Sequence, residues 1–225
     1  LQAVWLPLHG VPFSETPLLA GIYLLPNSLG FAVSAPIAGR LSDRMGSRAL
    51  TTAGLAISAV STLALYFLPY DFPITELFVI TFFSGLGMGL FSAPNLADIL
   101  ASTPPQYRGA ASGLRGSLQN TASAIAVTAY FLMLFSFLYS PLNSAVSRLD
   151  PGVQVNPAEV VFAAFLGYQP IPGVNLTPQE FGEIVAQPFM VAFGEVVLIS
   201  AAVIAFSTVL SYFRRNARLT MREAQ

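Results

Sequence analysis

Seven side chains have types and positions that could do chemistry in this chain: Asp43, Glu195, Asp98, Arg108, Asn27, Gln119 and Asn120. Glu195 lies inside the apolar run QPFMVAFGEVVLISAAVIAF, eight residues past Gln187, or roughly 12 Å along a helix. A carboxylate at the centre of a membrane helix costs about 2.5–3.5 kcal/mol. Such a group can carry a proton, attract a cation, or hydrogen-bond a neighbouring helix as a neutral carboxyl. Asp98, in APNLADIL, can pair with Arg108 across the next turn, as a gate or as a simple surface pair. The amides suit either interhelical bonding, worth roughly 0.6–2 kcal/mol, or the wall of a polar cavity. With no Cys and one His, His9, neither thiolate chemistry nor a histidine-rich metal site is expected. Asp98 and Glu195 fall near opposite ends of their helices, so they cannot act as a carboxyl dyad. No catalytic residue, metal or cofactor is expected.

These groups need elements to hold them, and composition decides which. Of 225 residues only 21 are charged, 9%, against 54% apolar and a mean hydropathy of +0.66. Typical soluble chains carry roughly 25% charge, so this chain cannot cover a soluble surface. It is too hydrophobic for disorder, and a net charge of −1 argues against nucleic acid as a partner. The expected solvent is a lipid bilayer.

A bilayer core about 30 Å thick needs about 20 apolar residues in a helix. Five stretches qualify, at about 16–39, 49–68, 75–100, 110–139 and 187–213. Residues 1–13, LQAVWLPLHGVPF, read as the end of a further, truncated span. The predicted fold is therefore an all-α integral membrane bundle of five complete spans plus the end of a sixth. Counting 10 residues inward, about 15 Å, puts Pro26–Asn27 of the first span and Gln119, Asn120 and Thr121 of the fourth at one depth. Pro26 is expected to bend its helix there. GLGMG (Gly85, Gly87, Gly89) and GAASG (Gly109, Gly113) read as helix-packing faces. Trp5, Tyr70, Phe72, Tyr212 and Phe213 fit interfacial belts.

All ten basic residues are arginines, and nine fall on one side of the alternation: Arg40, Arg44, Arg48, Arg108, Arg115, Arg214, Arg215, Arg218 and Arg222. The positive-inside rule makes that side cytoplasmic. A cytoplasmic tail at 214–225, an extracytoplasmic segment at 140–186 and a plasma-membrane location follow. The 140–186 segment carries two helix-start signals: Asn156-Pro157 with Glu159, and Thr177-Pro178 with Glu180. Two short amphipathic helices separated by Pro170, Pro172 and Gly173 are expected. Asn175 heads a glycosylation sequon.

The most specific string is GRLSDRMGSR at 39–48, a tight turn between the first two spans. Gly39 and Gly46 permit close packing and unusual backbone angles. Asp43 can face a helix N-terminus, where an anion is favoured by roughly 0.3–1 kcal/mol. Arg40, Arg44 and Arg48 can pair with carboxylates, helix C-termini or lipid phosphates.

This string resembles the signature turn of major facilitator superfamily transporters, with Gly39, Leu41, Asp43, Arg44, Gly46 and Arg48 matching position by position. PPQYRGAASGLRGSLQNTASAIA is similar to the entry of the fifth helix of a C-terminal half. The insert before the last helix resembles the fourteen-helix drug:proton antiporters. The resemblance implies a C-terminal half that alternates access to a central cavity against a missing N-terminal half. It implies a small-molecule substrate, lipophilic or cationic, exported in exchange for protons, with Asp43 latching the halves. Two other readings compete: transport of another substrate class, and a membrane assembly role for a half-length chain. Alone, the chain supplies one wall of a cavity and is not expected to transport.

Overall fold

One helix organises the bundle. The computed structural model describes residues 1–2, 4–148, 154–165 and 177–213, without the side chains of 13, 43, 45, 164, 165 and 178. Its elements are α1 Trp5–Leu8, α2 Thr16–Tyr23, α3 Leu25–Met45, α4 Ser47–Tyr66, α5 Ile74–Ala101, α6 Arg108–Val146, α7 Pro157–Phe165, α8 Pro178–Phe181 and α9 Gln187–Phe213. α5 packs along α3 on one side and α4 on the other, α4 packs against α9, and α9 against α6. Among the described residues five helical segments are long and apolar enough to cross a membrane.

Glycine lets α5 serve two neighbours at once. A Cβ on Gly85 would collide with the carbonyl of Asn27, and one on Gly30 with that of Phe82, so α3 and α5 meet backbone to backbone. On the other side, Gly54 of α4 and Gly87 of α5 make the same close approach. In lipid, where no hydrophobic force drives helices together, this contact supplies the van der Waals attraction. The GLGMG motif is thus a packing face. Gly109 and Gly113 meet no neighbour among the described residues, and a Cβ at either would have open space.

Two apolar cores lie at the end of the bundle opposite the GRLSDRMGSR turn. Trp5, Leu6, Ala20, Leu68, Phe72 and Leu77 form one. Leu134, Leu138, Leu142 and Val146 of α6 pack with Val160 of α7 and with Ile184, Ala192 and Val196 to form the other.

Helix ends follow local chemistry, with some departures from expectation. The first span breaks at Leu24, between α2 and α3, because Pro26 has no N–H to continue the ladder. Asn156 caps α7, accepting from Ala158 N–H at 3.0 Å. Thr177 and Glu180 form a reciprocal capping box, with Thr177 N–H to Glu180 at 2.8 Å and Glu180 N–H to Thr177 Oγ1 at 3.3 Å. The helix it opens is not a separate surface helix. A π turn over Gly182–Ala186 carries it directly into α9, because Ile184, Val185 and Ala186 are buried against α6. α6 also runs past the expected end at 139 to Val146, with Pro141 inside it. Buried Leu142 and Val146 hold this extension. Residues 1–13 contribute one helical turn, α1. Pro170, Pro172, Gly173, Asn175 and the 214–225 tail with its four arginines lie outside the described residues.

Candidate functional site

The GRLSDRMGSR turn closes on Gly46. Its φ of 83° and ψ of 158° lie where essentially only glycine is comfortable. Gly46 N–H bonds Ser42 O at 3.0 Å, ending α3, and α4 starts at the next residue. Gly39 has open space around it and makes no close approach. Arg40 and Arg44 lie one turn apart on an exposed edge of α3, flanking Ile37 and Leu41 around a groove of about 530 Å³. Neither makes a hydrogen bond or ion pair among the described residues. Arg48 points the other way, its guanidinium 4.7 Å above the Tyr212 ring of α9. The Asp43 backbone is helical, and its side chain lies outside the described residues.

Polar contacts lock this end of the bundle. Ser47, first residue of α4, donates its hydroxyl to Asp98 Oδ2 of α5, both groups being buried. Thr51 and Thr52 meet Ser211 of α9 at 3.3 and 3.1 Å. The Asp98–Arg108 pair considered from sequence is not formed. Arg108 Nε instead donates to Leu100 O at 3.1 Å and Thr103 O at 3.4 Å, satisfying carbonyls at the α5 C-terminus. Asp98 is therefore a buried anchor between helices, and Arg108 a helix cap.

The three amides do not converge. Asn27 turns towards α5 and donates Nδ2–H to Thr81 O at 3.2 Å, so it bridges helices. Gln119 and Asn120 are exposed on α6. Over residues 108–128 nearly every side chain of α6 is exposed. At 100° per residue, Arg115, Ser112, Gln119, Ser123, Gly116 and Asn120 fall on one broad arc, with Leu114, Leu118 and Ile125 opposite. Arg115 was not singled out from sequence, being counted among the flanking arginines. With α6 starting at Arg108, it lies seven residues in, about 10 Å along the axis. It has no partner among the described residues.

Glu195 joins neither group. It sits on the exposed stripe of α9 with Val191, Ile199 and Val203. Its neighbour Gly194 turns inward against the Tyr66 ring, which a Cβ would approach to 3.2 Å. Glu195 has no hydrogen bond or ion pair among the described residues.

The glycine-closed turn and the open, two-sided helix thus lie in a bundle of long apolar helices of the kind that crosses a membrane. The chain belongs to the Major Facilitator Superfamily, whose family model matches residues 3–218. It is 35% identical over 121 residues to the riboflavin transporter RibZ of Clostridioides difficile, covering 54% of this chain and 26% of that protein. It is 25% identical over 147 residues to the methyl viologen resistance protein SmvA of Salmonella typhimurium, covering 65% and 28%. The multidrug resistance protein Stp of Mycobacterium tuberculosis is 26% identical over 136 residues, covering 60% and 25%. The matched segments span about a quarter of the length of these curated relatives.

Proposed function

We propose that this chain is the C-terminal half of a proton-coupled exporter of lipophilic or cationic small molecules, working by alternating access. The observation that carries this reading is the two-sided, uncovered stretch of α6. A polar arc with Arg115, Gln119 and Asn120 is costly against lipid and suits a water-filled cavity or a companion helix. The opposite edge, Leu114, Leu118 and Ile125, suits lipid. The missing N-terminal half would complete the cavity. Arg40 and Arg44, without a partner among the described residues, would face it, and Asp43 would serve as the latch between halves. Glu195, also without a partner among the described residues, is the candidate proton carrier. The arginine-rich end is cytoplasmic by the positive-inside rule, which puts the C-terminus inside and 140–186 outside a plasma membrane.

Relatives named for methyl viologen and multidrug resistance support drug-like substrates. The similarity to a riboflavin transporter supports a second reading, in which the substrate is a vitamin-like heterocycle. Expression of the full-length protein in an efflux-deficient bacterium separates them. Export of a lipophilic cationic dye that stops when the proton gradient is collapsed is expected. Riboflavin movement without dye export would favour the second reading, and neither would overturn both.

A further inference from the structure

His9 is the one histidine of the chain, and both of its ring nitrogens face acceptors. Nδ1 lies 2.8 Å from the backbone carbonyl of Trp5. A carbonyl cannot donate, so this contact is a hydrogen bond only in forms of the ring that carry a hydrogen on Nδ1. Nε2 lies 3.2 Å from Asp71 Oδ1, and an ionised carboxylate likewise only accepts. A neutral imidazole has one N–H and satisfies one of these contacts; the imidazolium satisfies both. The ring is held for this role. It stacks on Trp5 with centroids 3.9 Å apart, and Trp5 is itself fixed by its indole N–H to Phe72 O at 3.1 Å.

We propose that His9 and Asp71 form a proton-binding clasp joining the segment after α1 to the α4–α5 connection. Beside the packing of Trp5 on Phe72, two polar ties link these segments among the described residues. The Trp5–Phe72 bond is independent of pH. The His9–Asp71 tie stands together with the Nδ1–Trp5 bond only when the ring holds both hydrogens. The proton has access through a cavity of about 280 Å³ lined by Leu8, His9, Tyr70, Asp71, Gln179 and Gly182. Three segments therefore meet at His9. The titratable side chains lining the cavity besides His9 are Asp71 and Tyr70 from the α4–α5 connection. The α8 side contributes neutral Gln179 and Gly182, with exposed Glu183 next along. Gain of the second ring hydrogen closes both contacts at once, and its loss releases the Nε2 side. That this end samples the outer medium rests on the orientation proposed above; the proton binding does not.

The test is ¹⁵N NMR of histidine-labelled full-length protein in nanodiscs, the His9 signals being those lost in His9→Gln. At pH 5.5 both nitrogens should be protonated, and the Nε2 proton should become exchange-broadened in Asp71→Asn. At pH 8.5 the neutral ring should keep its hydrogen on Nδ1. A neutral ring with its hydrogen on Nε2, or an Nε2 proton indifferent to Asp71→Asn, overturns the clasp. Spin labels at Val11 and Ile74 supply the conformational readout. Their distance distribution should broaden from pH 5.5 to 8.5 in the wild type and be broad at both in Asp71→Asn. Identical distributions throughout would also overturn it. None of these readings depends on transport, so loss of the exporter reading and loss of the clasp are separable.

Discussion

Ser47 donates its hydroxyl to Oδ2 of Asp98, tying the first residue of α4 to the last turn of α5. Ser47 directly follows Gly46, so this bond fixes the exit of the signature turn. Removing one partner of a buried hydrogen bond costs about 1–3 kcal/mol. Ser47→Ala and Asp98→Ala should each lower the stability of the full-length protein by about that amount. Asp98→Asn keeps an acceptor for the hydroxyl and should lose less. Thermal unfolding in detergent measures all three.

Gly46→Ala tests the turn itself. At φ 83°, ψ 158°, an alanine is strained by about 1–3 kcal/mol. Gly39→Ala faces open space within α3 and should leave the unfolding temperature unchanged or raise it slightly. The same measurement on the two variants compares a glycine required by backbone geometry with one that is not.

Gly85→Ala and Gly113→Ala make a second matched pair. At Gly85 the new methyl meets the Asn27 carbonyl, and overpacking of this kind costs about 1–3 kcal/mol. At Gly113 it meets nothing, and alanine is the better helix former by up to about 1 kcal/mol. Unfolding temperature should fall in the first and hold or rise in the second.

Asp43→Asn and Glu195→Gln are predicted to reduce proton-driven export in the full-length protein without lowering expression. For Glu195 the folding side is clear: it is exposed and unpartnered among the described residues, so unfolding should be unchanged. Export assayed in vesicles with an imposed proton gradient checks both. Wild-type rates in Asp43→Asn would remove the latch role, and wild-type proton coupling in Glu195→Gln would remove the proton role.

The spans were readable because 20-residue apolar runs have few alternatives in a chain with 9% charge. The capping signals at Asn156 and Thr177 were local and were found where expected. Interhelical direction was not readable. Counting residues gave Asn27 and Gln119 a common depth, yet Asn27 turns into the α3–α5 contact while Gln119 is exposed on α6. Depth along an axis says nothing about azimuth until the packing faces are known. The same gap hid the anchor role of Asp98, because Ser47 lies 51 positions away. It also made GAASG resemble GLGMG: both are rich in small residues, and among the described residues only the second has a neighbouring backbone to meet.

The central claim is that the polar arc of α6 faces the transport pathway. Single cysteines at Gln119, Asn120, Leu118 and Ile125, introduced into full-length protein lacking other cysteines, test it with a membrane-impermeant maleimide. The account predicts that positions 119 and 120 react and are protected by substrate, while 118 and 125 do not react. Equal labelling at all four, or labelling of 118 and 125 alone, would contradict it.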